Sequence, residues 1–164
     1  MKPIACVTVF LCLALCGRTA TGHDAQPTHC APAETAFSCA TARGRVLALC
    51  SAADKSVLYR FGRIGAIELQ YPPSTQPQAG PMLYSEYGRY QTDRVEVRFD
   101  HQGTEYTVFD YHENGQRRAG VRITSTDTKE REIACTSPIT GRLGALKNLL
   151  PCDADSALNL GTCK

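Results

Sequence analysis

A chain of 164 residues in which 18 basic side chains face 16 acidic ones has the length for a single hydrophobic core. It is too close to neutral to have been built for gripping nucleic acid or an anionic membrane. After its first residues it has no hydrophobic span, no charge block, no low-complexity run and no repeat of fixed period. The compositional excess is nine cysteines, and their placement bears on both the compartment and the fold.

Lys2 precedes an apolar run, Pro3 to Cys16, and then the small and polar residues Gly17 to Gly22. This outline is that of a signal peptide with cleavage before His23, its apolar stretch too short to span a bilayer. A rival reading takes Leu13 to Gly17 as a lipoprotein box that leaves Cys16 lipidated, against which stands the large Leu15 where a small residue is usual. Cleavage removes Lys2 and Arg18, leaving 16 basic against 16 acidic residues. It also removes Cys6, Cys12 and Cys16, so Cys30, Cys39, Cys50, Cys135, Cys152 and Cys163 remain. An even set in an exported chain implies three disulfides and an oxidising compartment, periplasmic or extracellular. The organisation expected is a signal at 1–22, an N-terminal arm at 23–35 and a single β-rich domain at 36–164.

The arm is polar, with Pro27 and Pro32, and Cys30 is its only evident tether. Next, Phe37 to Cys50 carries a cysteine on either side of Gly44-Arg45. A two-residue II′ turn at that pair would set Cys39 opposite Cys50, with Cα atoms roughly 4.5–5.5 Å apart and close enough to bond. The other four cysteines allow three pairings; the short loop favours Cys152 with Cys163, which leaves Cys30 with Cys135 to tie the arm to the last strand. Val57, Tyr59 and Phe61 alternate with Leu58 and Arg60, and Ile67, Leu69 and Tyr71 alternate with Glu68 and Gln70. Both patterns have the period of half-buried strands, and Pro72-Pro73 ends the second.

Pro72 to Pro81 is a proline-rich connection. Tyr84, Tyr87, Arg89 and Tyr90 come after it, side chains that often anchor interfaces. Val95, Val97 and Phe99 mark a strand whose other face, Arg94, Glu96 and Arg98, should be wet. Asn114-Gly115 is a type I′ hairpin pair. It sets Glu113 opposite Gln116, Tyr111 opposite Arg118, Phe109 opposite Gly120, Val108 opposite Val121 and Tyr106 opposite Ile123. After a last strand ending at Cys135, Ser137-Pro138 looks like a capped helix start, with Leu143, Leu146, Leu149 and Leu150 as an apolar stripe up to Pro151. The fold expected is mainly β, an antiparallel meander forming a sandwich or partly open barrel, with one short C-terminal helix.

No stretch carries the residue set of a known reaction. Asp110 and His112, two apart on one strand face, are the pair best suited to acid/base work or metal ligation, but no third ligand is readable. Asp153-Ala154-Asp155 has the opening spacing of a calcium loop without its glycine or terminal Glu. No GxSxG or SxxK motif is present and no thiol is left unpaired, so no cofactor or metal is expected. The segments FSC at 37–39, LC at 49–50, YRFG at 59–62 and ELQYP at 68–72 together resemble a family of small exported Gram-negative bacterial proteins whose role is uncharacterised. That resemblance implies export and a β-rich domain but no activity. In general character the chain is also similar to the bacterial lysozyme inhibitors, whose loop motif has no residue-by-residue counterpart here.

The reading is an exported cell-envelope binding module with a protein or glycan partner, such as an inhibitor of a foreign hydrolase like lysozyme, presenting the proline loop together with Tyr84, Tyr87, Arg89 and Tyr90. A periplasmic hydrolase or metal-dependent enzyme using Asp110 and His112 is the alternative, and a structural envelope component a third.

Overall fold

A computed structural model describes residues 27–75, 79–126, 128–160 and 162–163. The expected signal segment, its cleavage point and Cys16 lie outside the described residues, as do 76–78 of the proline loop. Nine strands form one antiparallel sheet: β1 (Thr35–Thr41), β2 (Arg45–Ser51), β3 (Val57–Arg63), β4 (Ala66–Tyr71), β5 (Leu83–Arg89), β6 (Thr92–His101), β7 (Thr104–Glu113), β8 (Gln116–Ser125) and β9 (Thr128–Gly141). Their spatial order is β4-β3-β2-β1-β9-β8-β7-β6-β5. Two meanders therefore meet at β9, whose Arg131 to Ala134 pair with β8 and whose Cys135 to Gly141 pair with β1.

The sheet folds over on itself without closing. On the inner face, the rows Phe37–Leu49–Tyr59–Tyr71 and Cys39–Leu47–Phe61–Leu69 cross the first meander. Val95, Val97 and Phe99 face them from the second. Phe99 stacks on Tyr71 at 4.3 Å and on Tyr106 at 5.1 Å and tilts against Tyr59 at 5.0 Å, joining the two halves through aromatic contacts. Each such pair contributes about 0.5–1.5 kcal/mol beyond the area it buries. At one end, Leu143 and Leu146, both fully buried, fill the space between the halves.

The type I′ expectation at Asn114-Gly115 holds at all five pairs, with φ of 49° and 77° at the two turn residues. Phe109 lies over the bare backbone of Gly120, where a Cβ would stand 3.1 Å from the Phe109 ring and 2.4 Å from the Ile133 carbonyl oxygen.

The first hairpin departs from its expectation. Its loop has three residues, Ala42–Gly44, with Arg43 at φ 66° and Gly44 at φ 68°, and Thr41 pairs with Arg45. The loop begins two residues and ends one residue earlier than expected, a register shift of three, so Cys39 opposes Leu47 on the inner face while Cys50 points to the outer one. Sulfurs on opposite faces cannot bond, and the expected Cys39–Cys50 and Cys30–Cys135 bridges are replaced by Cys30–Cys50 and Cys39–Cys135. Cys30 reaches Cys50 because the arm lies across the outer face of β2 and β3. There Cys30 packs with Ala48, Cys50 and Leu58, and Arg60 donates to the His29 carbonyl at 2.8 Å. Cys152–Cys163 forms as expected.

The C-terminal helix is also corrected. Residues 137–141 continue β9, because the edge of β1 offers Phe37 and Ser38 as partners for Gly141 and Thr140. Pro138, which has no N–H to donate, falls in the irregularity between Thr136 and Ile139. Of the leucine stripe only a 3-10 turn remains, Leu143–Leu146. An irregularity between Phe61 and Gly62 similarly takes Ile67 out of the row of Leu69 and Tyr71 and leaves it 47% exposed. Nor is the charged face of β6 freely wet. Arg122 and the Tyr111 hydroxyl both donate to Glu96, and the Arg122 guanidinium covers Phe109 at 5.3 Å. Burial, then the bond to Glu96, pushes the Tyr111 phenol up to about 12.

Cys39 and Cys135 lie 96 residues apart and Cys152 and Cys163 only 11. If loop entropy governs, removing the first bridge costs about 4–5 kcal/mol and the second about 3. Urea unfolding of the Cys39→Ala/Cys135→Ala and Cys152→Ala/Cys163→Ala double variants should rank them in that order; the reverse ranking would contradict the assigned connectivity.

Candidate functional site

Tyr84 belongs to the core and not to an interface. It is 4% exposed, and its hydroxyl donates to Glu86 at 2.8 Å; burial and that carboxylate raise its pKa. Its strand edge is covered by the chain's own tail. Tyr84 N donates to the Pro151 carbonyl and Asp153 N to the Tyr84 carbonyl, each at 2.8 Å, and Glu86 N donates to Asn159 Oδ1 at 3.2 Å. Burial raises the Glu86 pKa, but bonds from Lys147 and the Tyr84 hydroxyl outweigh it and leave the carboxyl below its ordinary value.

Tyr87 is half-buried and borders a shallow recess of about 410 Å³ with Lys147, Leu150, Leu158 and Leu160. Arg89 is exposed, and Tyr90 at the hairpin tip is 87% exposed. The described end of the proline connection, residues 79–82, meets β5 at the end away from Tyr90, about 20 Å off at strand rise. Tyr87, Arg89 and Tyr90 do remain neighbours.

Asp110 and His112 share the inner face as expected, but the Asp110 carboxylate is occupied. Only 3% of the side chain is exposed. It accepts from Arg117 Nε at 2.8 Å, from Arg117 Nη2 at 2.9 Å and from Leu143 N at 3.4 Å. Arg117 in turn donates to the Gly141 carbonyl at 2.7 Å. The pair thus fastens the end of β9 and the leucine plug onto β7 and β8. His112 Nε2 stands 3.5 Å from Asp110 Oδ1, beyond a good hydrogen bond, and Glu113 accepts from Arg94 at 2.7 Å.

Asp153 is likewise engaged, accepting from Arg98 at 2.7 and 2.9 Å. Among the described residues no group of three or more His, Cys, Asp or Glu is arranged to hold a metal ion.

The end of the fold opposite the leucine plug is open. Phe61 and Leu69 on one half and Tyr106, Ile123 and Ile133 on the other border a cleft of about 610 Å³, each of the five only partly buried. Tyr59 lies at its floor, 1% exposed, its phenol pKa raised by burial. Arg43, Arg45, Glu68 and Arg131 stand around the mouth. Arg45 Nε donates to both Glu68 oxygens, at 2.9 and 2.8 Å, while Arg43 and Arg131 have no carboxylate partner among the described residues. The apolar alternation that carries Tyr106 and Ile123 predicts a filled core around them. Only the curl of the sheet shows that nothing in the described chain covers them at this end.

No family model matches the chain, and no curated protein or solved structure is detectably similar to it.

Removing the Asp110 carboxylate leaves Arg117 and the Leu143 N–H without their acceptor. Asp110→Ala should lower the unfolding free energy by about 3 kcal/mol; a loss under about 1 kcal/mol in urea titration would show that the pair does not hold the plug.

Asp153 contributes a pH dependence of its own. The Arg98 hydrogen bonds hold its carboxyl below the ordinary range. The stabilisation is therefore fully present above the unfolded pKa of about 3.9 and is lost as pH falls through the lower folded value. Wild type should lose more stability than Asp153→Asn between about pH 5 and pH 2.5, and equal losses would refute the assignment.

Proposed function

We propose that the protein is an exported, non-enzymatic binding module of the cell envelope that takes its ligand into the open end of the folded sheet. The observation that carries this reading is the cleft. It is a concave space of about 610 Å³, within the range of small-molecule sites, bordered by apolar side chains that an equally long core could have buried. Asp110, the carboxylate considered for catalysis, and Asp153, the one considered for calcium, are instead engaged by arginines that tie elements together. Three disulfides suit the oxidising periplasm or exterior, and no helix among the described residues is long and apolar enough to cross a membrane.

A second reading, inhibition of a foreign hydrolase such as lysozyme, draws on the exposed Tyr90 and the neighbouring Arg89 and Tyr87 at the hairpin tip.

Bait protein carrying Ile123→Trp, which fills the cleft, should lose the ligand that wild type retains from envelope extract, read by native mass spectrometry. Equal retention by the two would overturn the cleft as the site. Lysozyme inhibition abolished by Tyr90→Ala with Arg89→Ala, and unaffected by Ile123→Trp, would favour the hairpin instead.

A further inference from the structure

The cleft's chemistry is uneven from mouth to floor. Inside, the walls are Phe61, Leu69, Ile123 and Ile133, and the floor holds the rings of Tyr59 and Tyr106. Neither phenol makes a hydrogen bond to a described residue, so the interior offers apolar surface and hydroxyls that can donate. Fixed charge is confined to the rim. There Arg45 and Glu68 cancel each other, and Glu132 is turned to Arg118 at 3.4 Å. Arg43 and Arg131 are left as exposed cations with no carboxylate partner among the described residues, both bordering the opening, one in the β1–β2 loop and the other on β9.

Arg43 also adopts a left-handed conformation at φ 66°, where glycine or asparagine is the common choice. A long basic side chain is thus held at the lip.

An apolar interior beneath two unpaired cations is complementary to a molecule with one hydrocarbon chain and one anionic end. A neutral lipid would leave the arginines unused, and a cationic one would be repelled by them. An extended peptide would bring backbone amides into walls that offer few partners. We propose that the cleft binds a single-chain anionic amphiphile as a monomer, its hydrocarbon chain among Phe61, Leu69, Ile123 and Ile133 and its head between Arg43 and Arg131. This deepens the reading of the cleft as the ligand site and rests on it.

The probes are dodecanoate, dodecanol and dodecyltrimethylammonium, each titrated calorimetrically below its micelle concentration. Dodecanoate should bind one per chain, at least about tenfold more tightly than the cation. Arg43→Gln with Arg131→Gln should weaken dodecanoate about tenfold while leaving dodecanol unchanged. Both sites are exposed, so the fold should survive, and thermal unfolding checks this. Ile123→Trp should weaken dodecanoate and dodecanol alike.

Equal affinity for the three probes, an unchanged dodecanoate affinity in the double Gln variant, or no binding of any would overturn the proposal. So would sedimentation with vesicles of anionic phospholipid in the absence of monomer binding. If no probe binds while Ile123→Trp still loses the ligand retained from envelope extract, the cleft remains the site and only the ligand class is wrong. If both experiments fail, the site itself is refuted.

Discussion

The architecture depends on β9 being paired along both of its edges. Its first half completes the β5–β8 meander and its second half completes the β1–β4 meander, so a single strand of fourteen residues turns two open ribbons into one sheet. The Cys39–Cys135 bridge fastens the strand at the crossover, and the stacked rings of Tyr71, Phe99 and Tyr106 draw the two halves together. With β4 and β5 unpaired to one another, the fold has two ends to resolve. The chain after β9 fills one of them with Leu143 and Leu146, and nothing in the described chain fills the other.

That asymmetry organises the polar chemistry as well. At the filled end Asp110 and Arg117 form a buried, hydrogen-bonded pair that receives the turn after β9. On the outer face of the second half, arginines lie over Phe109 and Tyr111 and pair with Glu96, Glu113 and Asp153, so aromatic surface that would otherwise be wet is covered. The tail then runs along the edge of β5, where an unpaired strand would invite association. At the open end the charges lie at the rim and do not balance, and there the apolar side chains are only partly buried.

Much of this is legible in the residues, and where it is not, the reason is local. Asn114-Gly115 specifies a register five pairs deep because a type I′ turn tolerates few alternatives. Gly44-Arg45 misleads because the three-residue loop Ala42–Gly44 places Arg43 in a left-handed conformation that an arginine seldom adopts, and a register shift of three residues, an odd number, carries Cys50 to the far face. Ser137-Pro138 has the chemistry of a helix start, yet the open edge of β1 offers strand partners to Ile139, Thr140 and Gly141 just after it, and tertiary pairing overrides the local signal. The spacing of the leucines marks them as buried, though the structure holds them in a turn and not a helix. Composition groups Tyr84 with Tyr87 and Tyr90, but alternation along β5 sends Tyr84 inward. The cleft has no signature in the sequence, since its lining residues alternate as core residues do. Whether an inward face is covered depends on how the whole sheet curls.

The claim that the open end receives a ligand rests on the contrast between the two ends of one core. Methyl-resolved NMR compares them directly, with isoleucine and leucine methyls monitored as dodecanoate is added to the intact chain. A ligand in the open end should give progressive, saturable shifts at Ile123, Ile133 and Leu69, with Leu143, Leu146 and the exposed Ile64 unmoved. Shifts centred on Leu143 and Leu146, or none at the mouth under conditions where calorimetry reports binding, would contradict it.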